Sequence, residues 1–256
     1  MHGTVVFKDP GYESRDSSWR RLVKDFVTRA VEPAPQRVVI PVQVHGSDVI
    51  RVDGEGPDDM ADADGLTAIE SAGFVYAPRC DGLVTCHCGV MIGVNTADCI
   101  PLAAINKGAR VIGIAHCGWR GIAAGVVENL LREMDALAGR DNRAGTVFLI
   151  GASVGACCYE VGPDFLRSFS EGEVAECSVA ECPVAEGQVK EGGHSPPGRM
   201  AFDLKRLVGL RLTNAGIDPN SVFTDNTCTS CEKDELCSYR AEGEACGRMY
   251  TYLMIR

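Results

Sequence analysis

Three segments end runs of β-forming residues in side chains able to bind a metal or attack a substrate. They are QVHGS with His45, NTADCIPL with Cys99, and AHCGWRG with His116, Cys117 and Arg120. Side chains at the ends of buried strands are held firmly yet can face a cleft. Two imidazoles and one thiolate are donors that zinc and copper accept, and three protein ligands leave a position for water or substrate. An open zinc site lowers the pKa of bound water toward ~7. The same atoms without a metal make a thiol nucleophile with a histidine base. Spacing does not choose among these, because the three residues lie far apart in sequence. A core histidine, a buried cysteine and a turn satisfy the pattern equally well.

The elements that must position these residues are mixed. RVVIPVQVH (37–45) reads as a strand, with VIRVD (49–53) as its partner across the intervening His-Gly-Ser-Asp turn. GLVTCHCGVMIGVNT and RVIGIAHCG are β-rich and apolar, as in strands buried on both faces. Residues 18–30 and 201–216 carry helical spacing, and GIAAGVVENLLREMDALAGR (121–140) is the clearest helix, with Gly139 near its end. TVFLIGASVGACCYEVG returns to strand and turn, and RMYTYLMI is a final strand. Residues 53–64 form an acidic loop, and 170–199, rich in Glu, Gly, Pro and Ser, read as a mobile surface loop. Strands and helices do not alternate strictly, which predicts an α+β fold, a mixed β-sheet core flanked by helices, in one domain over 1–256.

Composition narrows the function classes. A formal net charge of −10 repels phosphate backbones and anionic membrane surfaces, and no basic patch interrupts it, so neither nucleic acid nor membrane is an expected partner. The N-terminus lacks a secretory signal, and no apolar run spans a bilayer. Thirteen cysteines without an export signal point to reduced, metal-binding or catalytic thiols and to the cytoplasm.

Cys228, Cys231, Cys237 and Cys246 form a C-x2-C-x5-C-x8-C array, and Cys86-His87-Cys88 is a second compact cluster. The array is a candidate for structural zinc or an iron–sulfur cluster, against ordinary buried or surface thiols. Cys117, next to His116 on a strand, should face the other way and is not counted as a ligand. Asp98, beside Cys99, either orients a ligand or relays a proton, or else caps a turn. His2, His87 and His194 read as bystanders.

Gln43-Val44-His45-Gly46, Asp81-Gly82-Leu83-Val84-Thr85, Ala97-Asp98-Cys99 and His116-Cys117-Gly118-Trp119-Arg120-Gly121 stand in the order seen in a known family. Cys157-Cys158-Tyr159-Glu160-Val161-Gly162, Phe202-Asp203-Leu204, Cys228-Thr229, Ser238-Tyr239-Arg240 and Gly247-Arg248-Met249 follow in the same order. The sequence resembles the YfiH/YlmD laccase-domain family, also called polyphenol oxidases and associated with purine nucleoside phosphorylase and adenosine deaminase activity. The resemblance runs from about residue 37 to 256 and implies a fold similar to the YfiH/CNF-toxin-like cysteine hydrolases. It implies that His45, Cys99 and His116 are the metal-binding, catalytic trio, with zinc, or alternatively copper, as cofactor. Substrates would be a purine nucleoside and phosphate, with Arg120 the candidate phosphate contact or else half of a structural ion pair. Residues 1–36 diverge: where the family carries His-Gly-Phe-Ser-Thr-Arg, this chain has His2-Gly3-Thr4-Val5-Val6-Phe7-Lys8, without the arginine. The competing readings are a copper-dependent polyphenol oxidoreductase, a metal-free Cys-His hydrolase and a non-catalytic redox module. Against multicopper chemistry, the chain has only five histidines.

Overall fold

A computed structural model describes residues 2–7, 31–52, 74–179 and 200–256. The first strands are β1 (His2–Phe7), β2 (Arg37–Val42), β3 (Val49–Arg51), β4 (Phe74–Arg79) and β5 (Gly82–Thr85). Then come β6 (Val90–Thr96), β7 (Ile100–Asn106), β8 (Val111–Cys117) and β9 (Thr146–Ile150). The short strands β10 (Glu160–Val161), β11 (Ser178–Val179), β12 (Met200–Phe202) and β13 (Val222–Thr224) precede the long β14 (Arg248–Met254). The helices are α1 (Trp119–Ala124), α2 (Val126–Ala138), α3 (Pro163–Leu166), α4 (Glu171–Cys177), α5 (Leu204–Asn214) and α6 (Tyr239–Glu242).

Strands β5 and β8 are buried at every position, so each must be covered on both faces. One face meets a second sheet and the other meets helices. The six-stranded sheet runs β13-β9-β7-β8-β5-β3 and the five-stranded sheet β1-β14-β6-β2-β4; both mix parallel and antiparallel pairs. Between them lie Val39, Ile92, Val94 and Leu253 from one sheet against Leu83, Ala103, Ile112 and Ile114 from the other. The opposite face of the six-stranded sheet presents Val84, Leu102, Ala104 and Ala115 to Leu130, Met134, Leu207 and Val208 of α2 and α5. A small sheet, β10-β12-β11, completes the α+β architecture. No helix among the described residues is long and apolar enough to cross a membrane.

Several sequence expectations need correction. β3 does not pair with β2; it joins β5 in the other sheet, because the segment between them crosses from sheet to sheet instead of forming a hairpin. The single helix expected over 121–140 is two, broken at Gly125, whose φ of 94° is left-handed. The loop expected at 170–199 begins as helix α4 and strand β11. Ser170 and Glu173 form a reciprocal capping box there, which offsets the poor helix formers nearby. The helix expected at 18–30, the acidic loop at 53–64 and the remainder of the 170–199 segment lie outside the described residues. Within the divergent N-terminal segment, β1 pairs antiparallel along β14 as an edge strand.

Candidate active site

Strand alternation settles which side chain of the His116-Cys117 pair reaches the site. Ile112 and Ile114 face the second sheet and Val111, Ala115 and Cys117 face the helices, so His116 follows the isoleucines and Cys117 is sealed in the helix-side core. β7 lies antiparallel to β8 with Pro101 opposite His116, which brings the turn before β7, and Cys99 in it, beside the histidine.

His45 arrives from the segment that leaves β2. Gln43 and Asn95 exchange hydrogen bonds, Gln43 Nε2 to the Asn95 carbonyl at 2.7 Å and the Asn95 amide to Gln43 Oε1 at 2.9 Å. Asn129 of α2 donates to the Ser47 carbonyl at 2.8 Å. Between these struts, His45 adopts a left-handed φ of 59°.

Asp81 organises the centre. It is fully buried, and its carboxylate accepts the backbone N–H groups of Val44, His45 and Gly46 at 3.1, 3.0 and 2.7 Å. It also accepts His116 Nδ1–H at 2.8 Å, while the Asp81 carbonyl accepts the His116 amide at 2.7 Å. Burial alone would raise the carboxyl pKa, but the His116 hydrogen bond and the amides of Gly46 and Val44 hold it below the usual range. One carboxylate thus orients the loop bearing one histidine and the ring of the other.

With Nδ1 committed to Asp81, His116 turns its remaining nitrogen toward Cys99 and His45. The donor atoms of His45, Cys99 and His116 all lie within 4.8 Å of one another, with Cys99 Sγ 4.0 Å from His45 Nε2. His45 is exposed, Cys99 half-buried and His116 buried, so the group opens to solvent on one side. Gly118 makes the room: a Cβ there would stand 2.9 Å from the His45 ring and 3.2 Å from Cys99 Sγ. Burial disfavours the Cys99 thiolate, yet the His116 charge and hydrogen bonds from both histidines bring its pKa down to about 6. Burial likewise disfavours the His116 cation, but Cys99 and Asp81 push its pKa up to about 9. The donor set, its spacing and the carboxylate behind His116 fit a zinc-type ion with three protein ligands and an open position.

Asp98, left open between two roles, sits in a turn at φ 84°. Its carboxylate accepts the Thr229 hydroxyl and the Arg240 amide, both at 2.6 Å, so its oxygens are committed to joining three segments rather than to the trio. Arg120 is exposed and stacks its guanidinium 4.5 Å from the Trp119 ring centroid. Tyr159 and Arg240 stand near the trio, the phenol within the influence of the Cys99, Arg240 and Arg120 charges. Arg240 lies 5.3 Å over the Tyr159 ring and donates to the Glu160 carbonyl at 3.1 Å. Burial first, and the Cys99 charge second, raise the Tyr159 phenol pKa well above its ordinary value. Asp81, Tyr159 and Arg240 were visible only as members of ordered motifs; nothing in their local spacing announces a place beside Cys99.

The Cys228–Cys246 array does not assemble. Cys228 and Cys231 gather with Cys157 and Cys158, while Cys237 and Cys246 are buried outside that group, the latter accepting from Arg248 at 3.1 Å. The Cys86-His87-Cys88 segment forms no metal-capable group among the described residues; Cys88 Sγ accepts from Arg110 at 2.7 Å.

The chain matches the family described as "Multi-copper polyphenol oxidoreductase laccase" over residues 19–256, and it belongs to that family of laccase-like YfiH proteins. It is 30% identical over 225 residues to "Purine nucleoside phosphorylase YlmD" of Geobacillus stearothermophilus, covering 85% of this chain and 72% of the relative. It is 28% identical to "Purine nucleoside phosphorylase YfiH" of Escherichia coli, covering 86% and 75%. It is also 28% identical to "Adenosine deaminase RL5" of an unknown prokaryotic organism, covering 67% and 60%. The crystal structure of YlmD from Geobacillus stearothermophilus superposes with a TM-score of 0.68 at 28% identity, covering 93% of this chain and 78% of that one.

Proposed function

We propose that this chain is a metal-dependent enzyme acting on purine nucleosides: phosphorolysis of adenosine, inosine or methylthioadenosine, with adenosine deamination as a companion activity. The observation that carries the reading is the His45–Cys99–His116 donor group, with its Asp81 support, open to solvent at His45 and with Tyr159 near enough to interact with Cys99, Arg240 and Arg120. The names of the phosphorylase and deaminase relatives point to the same chemistry. His45, Cys99 and His116 would hold zinc, with copper the alternative, which when bound would supply Lewis acidity. Asp81 fixes the His116 tautomer so that its free nitrogen is left available as a donor toward Cys99 and His45. Arg120, its guanidinium over the Trp119 ring and exposed, would grip phosphate as it attacks C1′ of the ribose. Tyr159 remains a phenol at neutral pH and would be a hydrogen-bond donor to a bound nucleoside. A nucleoside and phosphate are the small-molecule partners.

The same contacts favour a second reading, a metal-free thiol hydrolase, because a Cys99 thiolate paired with a His116 cation is an activated nucleophile. Purified zinc-loaded protein incubated with adenosine, with and without phosphate, separates the two. Adenine formed only with phosphate, or inosine in either case, is expected, and both should vanish in Cys99→Ala. Wild type as inert as the variant would remove the nucleoside reading, and turnover surviving full metal removal would favour the hydrolase.

A further inference from the structure

A second cluster stands apart from the trio. The sulfur atoms of Cys157, Cys158, Cys228 and Cys231 all lie within 4.8 Å of one another. Cys231 Sγ is 3.5 Å from Cys157 Sγ and 3.6 Å from Cys158 Sγ. A tetrahedral ion bonded to four sulfurs at ~2.3 Å sets them ~3.8 Å apart, whereas a disulfide brings two of them to ~2.05 Å. The observed spacing suits ligands of one ion and is too long for a bond. An iron–sulfur cluster distributes its four thiolates over two or four irons and so sets some of them farther apart.

The fold brings two short motifs together to make this group. β9 and β13 run parallel side by side, and the turns leaving them stay paired through the Ser153–Cys228 bridge, with the Thr229 amide donating to the Ser153 carbonyl at 3.1 Å. One turn contributes the adjacent Cys157-Cys158 and the other the C-x2-C pair Cys228 and Cys231. Gly155 lets the turns close: a Cβ there would stand 3.1 Å from Cys228 Cβ and 3.3 Å from Cys157 Sγ. Four thiolates around a divalent cation carry a net charge of −2, and the surroundings answer it. The Gly155 amide donates to Cys228 Sγ at 3.1 Å. Buried Lys205, held by the Asp225 and Thr227 carbonyls at 2.6 and 2.7 Å, places its ammonium where Cys228 and Cys157 feel its charge.

We propose that Cys157, Cys158, Cys228 and Cys231 bind a structural zinc ion as a closed tetrathiolate site. Binding replaces up to four S–H protons by zinc–sulfur bonds, with no change of oxidation state. The site ties together segments that reach the trio. Thr229, between two of the ligands, donates to Asp98 beside Cys99, and Tyr159 directly follows Cys158. The zinc is thus connected to the trio by covalent and hydrogen-bonded links without touching it. The proposal holds whatever the substrate.

The test uses the full chain carrying His45→Ala and Cys99→Ala, which disables the trio, reloaded with zinc and measured by native mass spectrometry. One zinc per chain is expected, and none once Cys231→Ser is added. Cobalt in place of zinc should show intense thiolate charge-transfer absorption that the added Cys231→Ser abolishes. In unmutated protein, zinc should protect these four thiols from iodoacetamide and chelator should expose them, as read by peptide mass spectrometry. A folded double variant that takes up no zinc overturns the site. So does alkylation of the four thiols at equal rates with and without zinc, a result that needs no variant to fold.

Discussion

Among single residues, Asp81 carries the most consequence, because one buried carboxylate satisfies three loop amides and the His116 ring together. Asp81→Asn keeps the shape but removes the charge that stabilises the His116 cation and forces a donor among donors. Outer carboxylates of this kind are worth ~10–100-fold in metal affinity, and a drop of that size in zinc binding by competition titration is expected. In metal-free protein the Cys99 thiolate persists above about 6, so its alkylation should proceed at pH 7 and fall away as pH drops through about 6, far below the ordinary 9.0. The midpoint should rise toward the ordinary thiol value in Asp81→Asn, because the cation that lowers it is weakened. An unmoved midpoint would mean that Asp81 matters only to the loop.

Secondary-structure elements act on the site through their ends. β8 delivers His116 from its last turn of alternation, and α1 begins immediately after, at Trp119 and Arg120. The chain turns from α1 into α2 at Gly125, whose φ of 94° suits glycine. A Cβ there would meet only Glu128 Oε2, at an ordinary 3.6 Å, so Gly125→Ala costs backbone strain and not a clash. A loss of ~1–2 kcal/mol in denaturant unfolding is expected, with zinc content retained. Gly118→Ala is the contrasting case. Its Cβ intrudes on His45 and Cys99, so zinc binding and turnover should fall while global stability changes less.

At the scale of the whole molecule, two sheets and a helical layer share the six-stranded sheet, whose helix-side core is anchored by Leu130 of α2 and Phe148 of β9. Both are fully buried. Leu130→Ala should cost ~2–5 kcal/mol and Phe148→Ala ~3–5 kcal/mol, as midpoints of urea unfolding will report. Neither touches the trio, so folded mutant protein should keep its zinc. Loss of zinc at unchanged fold would instead show that the site depends on the rigidity of the whole sheet.

The sequence by itself determined much of the element inventory. Period-two runs of Val, Ile and Leu with no polar face require strands covered on both sides, and the stripe from Val126 to Met134 requires a helix lying on them. Alternation alone also separated His116 from Cys117, since neighbours on a strand cannot face the same way. The capping box at Ser170 and Glu173 and the break at Gly125 were equally local signals, but glutamate- and glycine-rich surroundings masked the first and good helix formers the second. Tertiary structure alone decided the pairings. β3 left β2 for the other sheet because Asp81 captures the loop between them, a contact 35 or more residues away in sequence. Cys228 and Cys231 found Cys157 and Cys158 rather than Cys237 and Cys246 because β13 lies parallel to β9, which carries the two turns to the same edge. Ligand sets are made by long-range strand registry, and a chain read in one dimension holds no record of which distant turns that registry brings together.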